Sequence, residues 1–493
     1  MGQNNVDKNY EYRTYQFRIK KSNSLFKYCD EMCFNSKNLY NMANFYIRQA
    51  FSGIKKEPLA RHENEATVIT AINSNIDKLN EIKIVTFDKR KNYKLKSNAP
   101  KSEPKTEPKL FKSLDQENYF IGWCLLDGVF KLTKQVDYTS LPAQTNQAVL
   151  KLVNQDWKSF FNAAKEYKIN PNKFSGKPQI PHYAKKDGRK VATFTNQSCL
   201  LRTKDDKNYL TFPKTKLKLE IGAIGLRNNN LKEVRIIPNS NFYTVEMIVA
   251  ISKSVINEAS DRIIAIDLGV NNFATISNNV GLTPIIIKGG ILKAENQFYN
   301  KLRAQYFSVL RMGKGPKEGQ FTSARLNKLD TDRYSFIKDY FHKSSRIIVN
   351  YCMVNNIDTI VIGKNKHWKD NITMRQASKQ SFANIPYNPF INMIAYKANE
   401  MGIKVIETEE SYTSKASFLD NDYIPTYGID DANAIFSGRR ISRGRYKSKD
   451  GSIINADVNG ACNILRKVFP MVFRNISLRN RGVVTIPLSL IVA

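Results

Sequence analysis

The run Ile263-Ile264-Ala265-Ile266 limits the fold more than any other stretch of the chain. Consecutive apolar residues, β-branched apart from the alanine, belong in a strand covered on both faces. The strand ends in a carboxylate, Asp267, and the chain then turns on Gly269-Val270-Asn271-Asn272 into a second apolar run. A buried carboxylate without a partner is costly. Asp267 is therefore either an accident of a strand end or one of a set of carboxylates that holds a metal.

The turn predicts a hairpin of strands 262–267 and 272–277. A third strand follows at 284–288, then helical periodicity over 292–312 and 322–355. Next come a short apolar strand at 358–363, a helix at 387–401, a strand at 403–408 and a helix at 457–469. Hairpin, third strand, helix, strand, helix, strand, helix is the element order of an RNase H-like fold built on a mixed sheet. In open α/β sheets, sites form at the carboxyl ends of strands, where Asp267 stands. Ahead of this region, residues 11–19 alternate like a strand, and 24–50, 60–85 and 143–167 carry helical periodicity. Residues 99–109, APKSEPKTEPK, read as an extended linker. Residues 190–253 read as strands of a barrel or small sheet that the first strand rejoins. The fold class is thus α+β and multidomain.

Charge sets the class of partner. The 493 residues hold 77 Lys+Arg against 44 Asp+Glu, a net +33. Such an excess resists compaction unless a polyanion neutralises it, and nucleic acid is the first expectation. No apolar run approaches the roughly 20 residues of a spanning helix. The N-terminus is polar, so a cytoplasmic protein without membrane association is expected. The six cysteines form no C-x-x-C pair, and Cys29 and Cys33, one helical turn apart, fit a core face. With four scattered histidines, a Cys/His zinc site is not expected.

Hydrolysis of a phosphodiester by two metal ions needs at least three hard oxygen ligands converging on ions about 4 Å apart. Asp457, at the start of the last helix in NADVNGACNILRKV, is a second acid. An Asp there is often only an N-cap, but the D-x-N-x-A-x-N pattern adds small residues that bring the helix close to the sheet. The third acid is harder to place. Strand TIVIG, adjacent to the first strand in such a sheet, ends in Gly363, and the next acid after it is Asp370. The strand one further out ends in ETEES, with Glu407, Glu409 and Glu410. Neighbouring strands are about 4.8 Å apart, a gap that a Glu side chain spans.

AIDLGVNNFATI, EESYTSKASFLD and INADVNGACNILRK resemble the three RuvC blocks of TnpB, the nuclease of certain insertion sequences, and those of the related compact type V CRISPR effectors. NLYNMANFYIRQAF, GKPQIPHYAKKDGRK and LKAENQFYNKLRAQ extend the resemblance over most of the chain. The resemblance implies an RNA-guided DNA endonuclease whose partners are a guide RNA and double-stranded target DNA. It implies Mg²⁺ in a two-metal site, with Mn²⁺ able to substitute. Some relatives carry a rearranged middle glutamate, and Gly363 with Glu410 fits that variant, Glu409 being second choice. The catalytic and metal-binding set is then Asp267, Glu410 and Asp457.

One departure is plain. Most TnpB proteins carry two C-x-x-C pairs of a zinc ribbon between the second and third blocks, and here that segment holds neither Cys nor His. No zinc is expected, and Phe418, Leu419, Tyr423, Ile424 and Phe436 are expected to keep the shape. The cations Lys415, Arg439, Arg440, Arg443 and Arg445 are expected to bind nucleic-acid backbone. So is the basic-aromatic cluster Lys364, Lys366, Trp368 and Lys369. The expected domains are a wedge-like β-barrel (1–20 and 190–258), a helical recognition domain (21–189), the nuclease (259–410 and 456–470), a basic insert (411–455) and a tail (471–493). Two other readings compete: a cleavage-deficient RNA-guided repressor, favoured by Gly363, and a transposase on the same fold. The latter is disfavoured because such enzymes usually place Glu, not Asp, in the last helix.

Overall fold

A computed structural model describes residues 10–96, 107–222, 226–252, 261–364, 385–430, 434–473 and 485–492. The chain divides into two compact units, Met1–Ser252 and Lys253–Ala493.

The first unit opens with β1 (Tyr10–Lys20) and α1 (Phe26–Gly53), followed by α2 (Glu63–Asn73), α3 (Ile76–Lys96), α4 (Trp123–Leu132), α5 (Val136–Thr139) and α6 (Ala143–Ile169). Strands β2 (Ala192–Thr195), β3 (Leu200–Lys204), β4 (Lys207–Thr211), β5 (Lys218–Glu220), β6 (Leu231–Pro238) and β7 (Phe242–Ser252) complete it. The first strand does rejoin the later ones: β1 pairs antiparallel with β7 along its whole length. Among the described residues the strands hydrogen-bond as two open sheets, β1-β7-β6-β2 and β3-β4-β5, and no ladder joins them into one barrel. Cys29, Cys33 and Met32 on α1 are buried, as helical spacing requires of one core face. Trp157 of α6 is fully buried against Phe51, Phe160 and Phe161, and its indole N–H donates to Asn44 Oδ1 at 2.9 Å.

Two prolines keep residues 178–181 out of a helix, and the basic stretch that follows lies along α1. Asn44 Nδ2 donates to the Pro181 carbonyl, Asn41 makes two hydrogen bonds with the Ala184 backbone, and Lys37 Nζ donates to the Lys186 carbonyl. The side chains of Lys185 and Lys186 stay exposed.

An ion pair joins Lys56, in the turn after α1, to the buried Glu65 of α2. Burial alone would raise the Glu65 carboxyl. Hydrogen bonds from Lys56 Nζ, 2.8 Å to each oxygen, and from the His62 N–H at 3.0 Å outweigh it and bring the group down to about 2. A depressed carboxyl stabilises the fold above its unfolded range and loses that contribution as pH falls toward the folded value. Glu65→Gln should therefore cost about 1–3 kcal/mol at neutral pH. The difference from wild type should shrink as pH falls from about 4.5 toward 2, as read by thermal melts across that range.

The second unit contains β8 (Ile263–Leu268), β9 (Asn272–Asn278), β10 (Ile285–Lys288), α7 (Gly290–Arg311), α8 (Ala324–Val354), β11 (Thr359–Gly363), α9 (Tyr387–Glu400) and β12 (Lys404–Thr408). It continues with β13 (Arg439–Ser442), β14 (Arg445–Lys447), β15 (Ile453–Asn455), α10 (Ala456–Val468) and β16 (Leu488–Leu490). Six strands form one mixed sheet in the order β12-β11-β8-β9-β10-β16. β11 is parallel to both β8 and β12, and β8, β9 and β10 are antiparallel in succession. The expected adjacency of TIVIG to the first strand, with KVIET one further out, is met. The C-terminal β16, absent from the sequence reading, pairs parallel with β10, Ile285 opposite Leu488.

Strand periodicity fixes which way Asp267 faces. Ile264, Ile266 and Leu268 enter the core beneath α8 and α9, around Phe273, Phe341 and Phe390. Ile263 and Ala265 pack on the opposite face, with Ile464 and Leu465 of α10. Alternation therefore puts Asp267 on the α10 face.

The insert forms a small sheet, β13-β14-β15. Its core differs from expectation. Phe418 is buried with Tyr446 and Ile454, and Leu419 packs against them, but Tyr423 is 69% exposed and Phe436 stacks on Tyr412 instead. Polar crosslinks hold the loop of the insert. Asp422 accepts from the Ser417 and Ser437 backbone N–H groups, and Asp420 from the Lys449 N–H at 2.8 Å.

Candidate active site

Asp457 is not the helix cap. Asn455 is: its side chain accepts from the N–H groups of Asp457 (3.0 Å) and Val458 (3.1 Å). The Asp457 carboxylate is left for other work. The small-residue pattern acts in two ways. A side chain at Gly460 would stand 3.0 Å from Asp267 Oδ2, so glycine is what lets the helix approach this carboxylate. Asn459 and Asn463 turn the other way and donate to the Ala416 and Thr413 carbonyls, fixing the start of the insert.

Asp267 is half-buried, and among the described residues no donor hydrogen-bonds its carboxylate. Burial first, then the negative charge of Asp457, pushes its carboxyl up to about 7, and Arg440 partly offsets this. Both Asp457 oxygens are engaged: Asn272 Nδ2 donates to Oδ2 at 2.6 Å and Arg440 Nη2 to Oδ1 at 3.1 Å. Arg440, expected at a nucleic-acid surface, is thus folded back onto the carboxylates from β13. Its neighbour Arg443 faces the β8–β9 turn, its guanidinium beside the Asn271 side-chain amide.

The three glutamates of ETEES sort cleanly. Glu407 pairs with Lys364 at 2.7 Å. Glu409 pairs with Lys467 of α10. Glu410 turns inward over Gly363: a side chain built at 363 would overlap the Glu410 carboxylate and meet Ile464 Cδ1 at 2.6 Å. The glutamate from the outer strand's end thus fills the place that the missing residue 363 side chain would take. The buried Tyr387 hydroxyl donates to the Gly269 carbonyl at 2.9 Å, and burial followed by the charges of Asp267 and Glu410 holds its acidity down. Both carboxylates therefore border the same tyrosine. Gly363→Ala should displace Glu410 and lower any activity of this site by about 10²-fold, with at most about 1–3 kcal/mol lost to overpacking. Kinetics beside a thermal melt check this, and an alanine variant with full activity contradicts it.

Among the described residues no three His, Cys, Asp or Glu side chains are already drawn together at metal-binding distance. The donor set nonetheless suits a hard cation. Among the described residues Asp267 lacks a donor, Asp457 is its like-charged neighbour, and the Arg440 guanidinium is the positive group on the pair. Such a cluster calls for cationic neutralisation.

Lys415, Arg439 and Arg445 are exposed on or beside the insert, as is Arg443. Lys364 is tied to Glu407. Lys366, Trp368, Lys369 and Asp370 lie outside the described residues. Sequence reasoning missed Asn272, Asn455 and Tyr387. The Asn-Asn pair in the β8–β9 turn was visible, but its reach to the last helix is a long-range contact.

The strand order and the carboxylates on the α10 face define an α+β protein built on a mixed sheet. Residues 247–369 match the family OrfB_IS605, described as a probable transposase, and residues 387–464 match the Cas12f1-like TNB domain. Over 211 residues the chain is 28% identical to the CRISPR-associated endodeoxyribonuclease Cas12f1 of Sulfoacidibacillus thermotolerans, covering 41% of this chain and 45% of that protein. The alignment thus spans less than half the length of this relative. A Cas12f1–sgRNA–target DNA complex aligns over 93% of this chain and 99% of its own at TM-score 0.46 and 13% identity. A CRISPR-Cas12f ternary complex aligns over 82% of both chains at TM-score 0.32. The family matches and the Cas12f1 relative support a TnpB-like compact type V effector. Among the described residues no helix is long and apolar enough to cross a membrane.

Proposed function

We propose that this chain is an RNA-guided, metal-dependent DNA endonuclease that binds a guide RNA and cuts complementary double-stranded DNA beside a short flanking motif. The observation that carries the reading is the seat of Glu410 over Gly363, which supplies a third carboxylate from a displaced position. Asp267, Asp457 and Glu410 would hold Mg²⁺, or Mn²⁺ in its place. Bound divalent ions supply an activated water and stabilise the leaving 3′ oxygen.

The chain's own residues prepare this centre. Asn455 caps α10 and frees Asp457. Gly460 admits Asp267 against the helix. Arg440 neutralises the aspartate pair and must give up Asp457 Oδ1 for that oxygen to reach a cation. Lys415, Arg439, Arg443 and Arg445, with Lys364, Lys366, Trp368 and Lys369, would contact nucleic-acid backbone, while guide pairing carries the sequence information. In this reading the parts at 1–20 and 190–258 act as the wedge, 21–189 as the recognition domain, 259–410 and 456–470 as the nuclease, and 411–455 as the basic insert.

The net charge of +33 makes a bound polyanion the first thing to test. The protein should purify with RNA, and stripping it should lower thermal stability, because a ligand bound only to the folded state stabilises that state. A nucleic-acid-free preparation that is equally stable and still cuts DNA would sink the RNA-guided reading.

A further inference from the structure

Asn272, the first residue of β9, carries more than the turn. Its Nδ2 donates to Asp457 Oδ2 at 2.6 Å, and its Oδ1 accepts from Lys288 Nζ at 3.1 Å. Lys288 is the last residue of β10 and stands opposite Asn272 across an irregularity in the β9–β10 ladder. Its own carbonyl is anchored by the Tyr340 hydroxyl at 2.7 Å. An ammonium group only donates, so it holds the amide oxygen toward itself and leaves the amide N–H to face Asp457. The consecutive strands β10 and β9 thus meet the distant α10 in one chain of hydrogen bonds.

We propose that Asn272 is a positioning residue of the nuclease centre, its amide locked by Lys288 so that Asp457 presents a fixed carboxylate. This rests on the nuclease reading above. The helix does not need the contact for its own stability, since Asn455 already caps it. The strand does not need it either, because β8 and β9 pair through their backbones. What the amide fixes is the orientation of the Asp457 carboxylate. Oδ2 is tied to the sheet, and Oδ1, held by the exposed Arg440 of β13, is the oxygen left to exchange partners. Hydrogen bonds of this kind to a ligating carboxylate typically set metal affinity by 10- to 100-fold.

Lysine gives the test its sign. If Lys288 acted only through its positive charge it would repel a cation, and Lys288→Met would tighten metal binding. If it acts by locking the amide, the same change weakens binding. Mn²⁺ affinity is measured by electron paramagnetic resonance on the full chain for wild type, Asn272→Ala, Lys288→Met and the double variant, with a thermal melt of each. The expected result is a loss of about 10-fold for Asn272→Ala. Lys288→Met should show a smaller loss, and the double variant no more than Asn272→Ala alone, since coupled residues are not additive. Melting temperatures should be unchanged. Tighter binding by Lys288→Met, fully additive losses, or an Asn272→Ala affinity equal to wild type each overturn the relay. A wild-type chain that takes up no Mn²⁺ overturns the nuclease reading itself, an outcome separate from a wild type that binds while Asn272→Ala is unaffected.

Discussion

Asp267→Asn is expected to abolish cleavage, by at least about 10³-fold, and to leave RNA-guided binding of matched DNA intact. Asp267 stands at the end of β8 on the face that meets α10, and it is none of the exposed cations proposed to contact nucleic acid. The substitution keeps size and removes charge. It also removes the repulsion between Asp267 and Asp457 that burial intensifies. The metal-free variant should therefore melt no lower than wild type. A structural aspartate would behave oppositely, losing stability and binding together. Gel-shift binding, cleavage kinetics and a melt on one preparation separate the two cases.

The second large effect concerns the displaced glutamate. Glu410→Gln should cut the rate by about 10²- to 10³-fold, and Glu409→Gln should change it little. The two residues are adjacent, but they have different partners. Glu409 is bound to Lys467, and Glu410 faces the gap over Gly363. Normal cleavage by Glu410→Gln with loss in Glu409→Gln would move the assignment by one residue. Normal cleavage by both would end the rearranged-site reading and turn attention to Asp370.

Much of this architecture was legible in the sequence for local reasons. The strands β8, β9, β11 and β12 are short apolar runs bounded by Gly, Asn or acidic residues, and their observed limits follow those runs. The two aspartates stood out because each interrupts or opens a strongly patterned element. The sequence left Glu410 and Glu409 as first and second choice, because two adjacent acids past a strand end carry no local signal of which one turns inward; their different surroundings appear only in the fold.

What the sequence did not disclose depends on long-range pairing. β16 lies about 200 residues from the strand it joins, and three residues of β-pattern do not announce a partner. Arg440 looked like one cation in a basic stretch, and only the fold of β13 brings it to Asp457. The insert's core was expected from Phe418, Leu419, Tyr423, Ile424 and Phe436, of which Phe418 and Leu419 do enter it. Tyr446 and Ile454 on β14 and β15 complete it in place of Tyr423 and Phe436, because pairing of those strands turns both side chains toward α10. The Lys288–Asn272–Asp457 chain joins three elements and carries no motif of its own.

The most direct measurement is cleavage of plasmid DNA by the purified protein loaded with a defined guide RNA, in Mg²⁺ and after chelation by EDTA. The account predicts cutting of DNA that matches the guide, none of unmatched DNA, and none in EDTA. Guided binding to matched DNA with no cutting in Mg²⁺ or Mn²⁺ would contradict it and leave a DNA-binding repressor as the function of this chain.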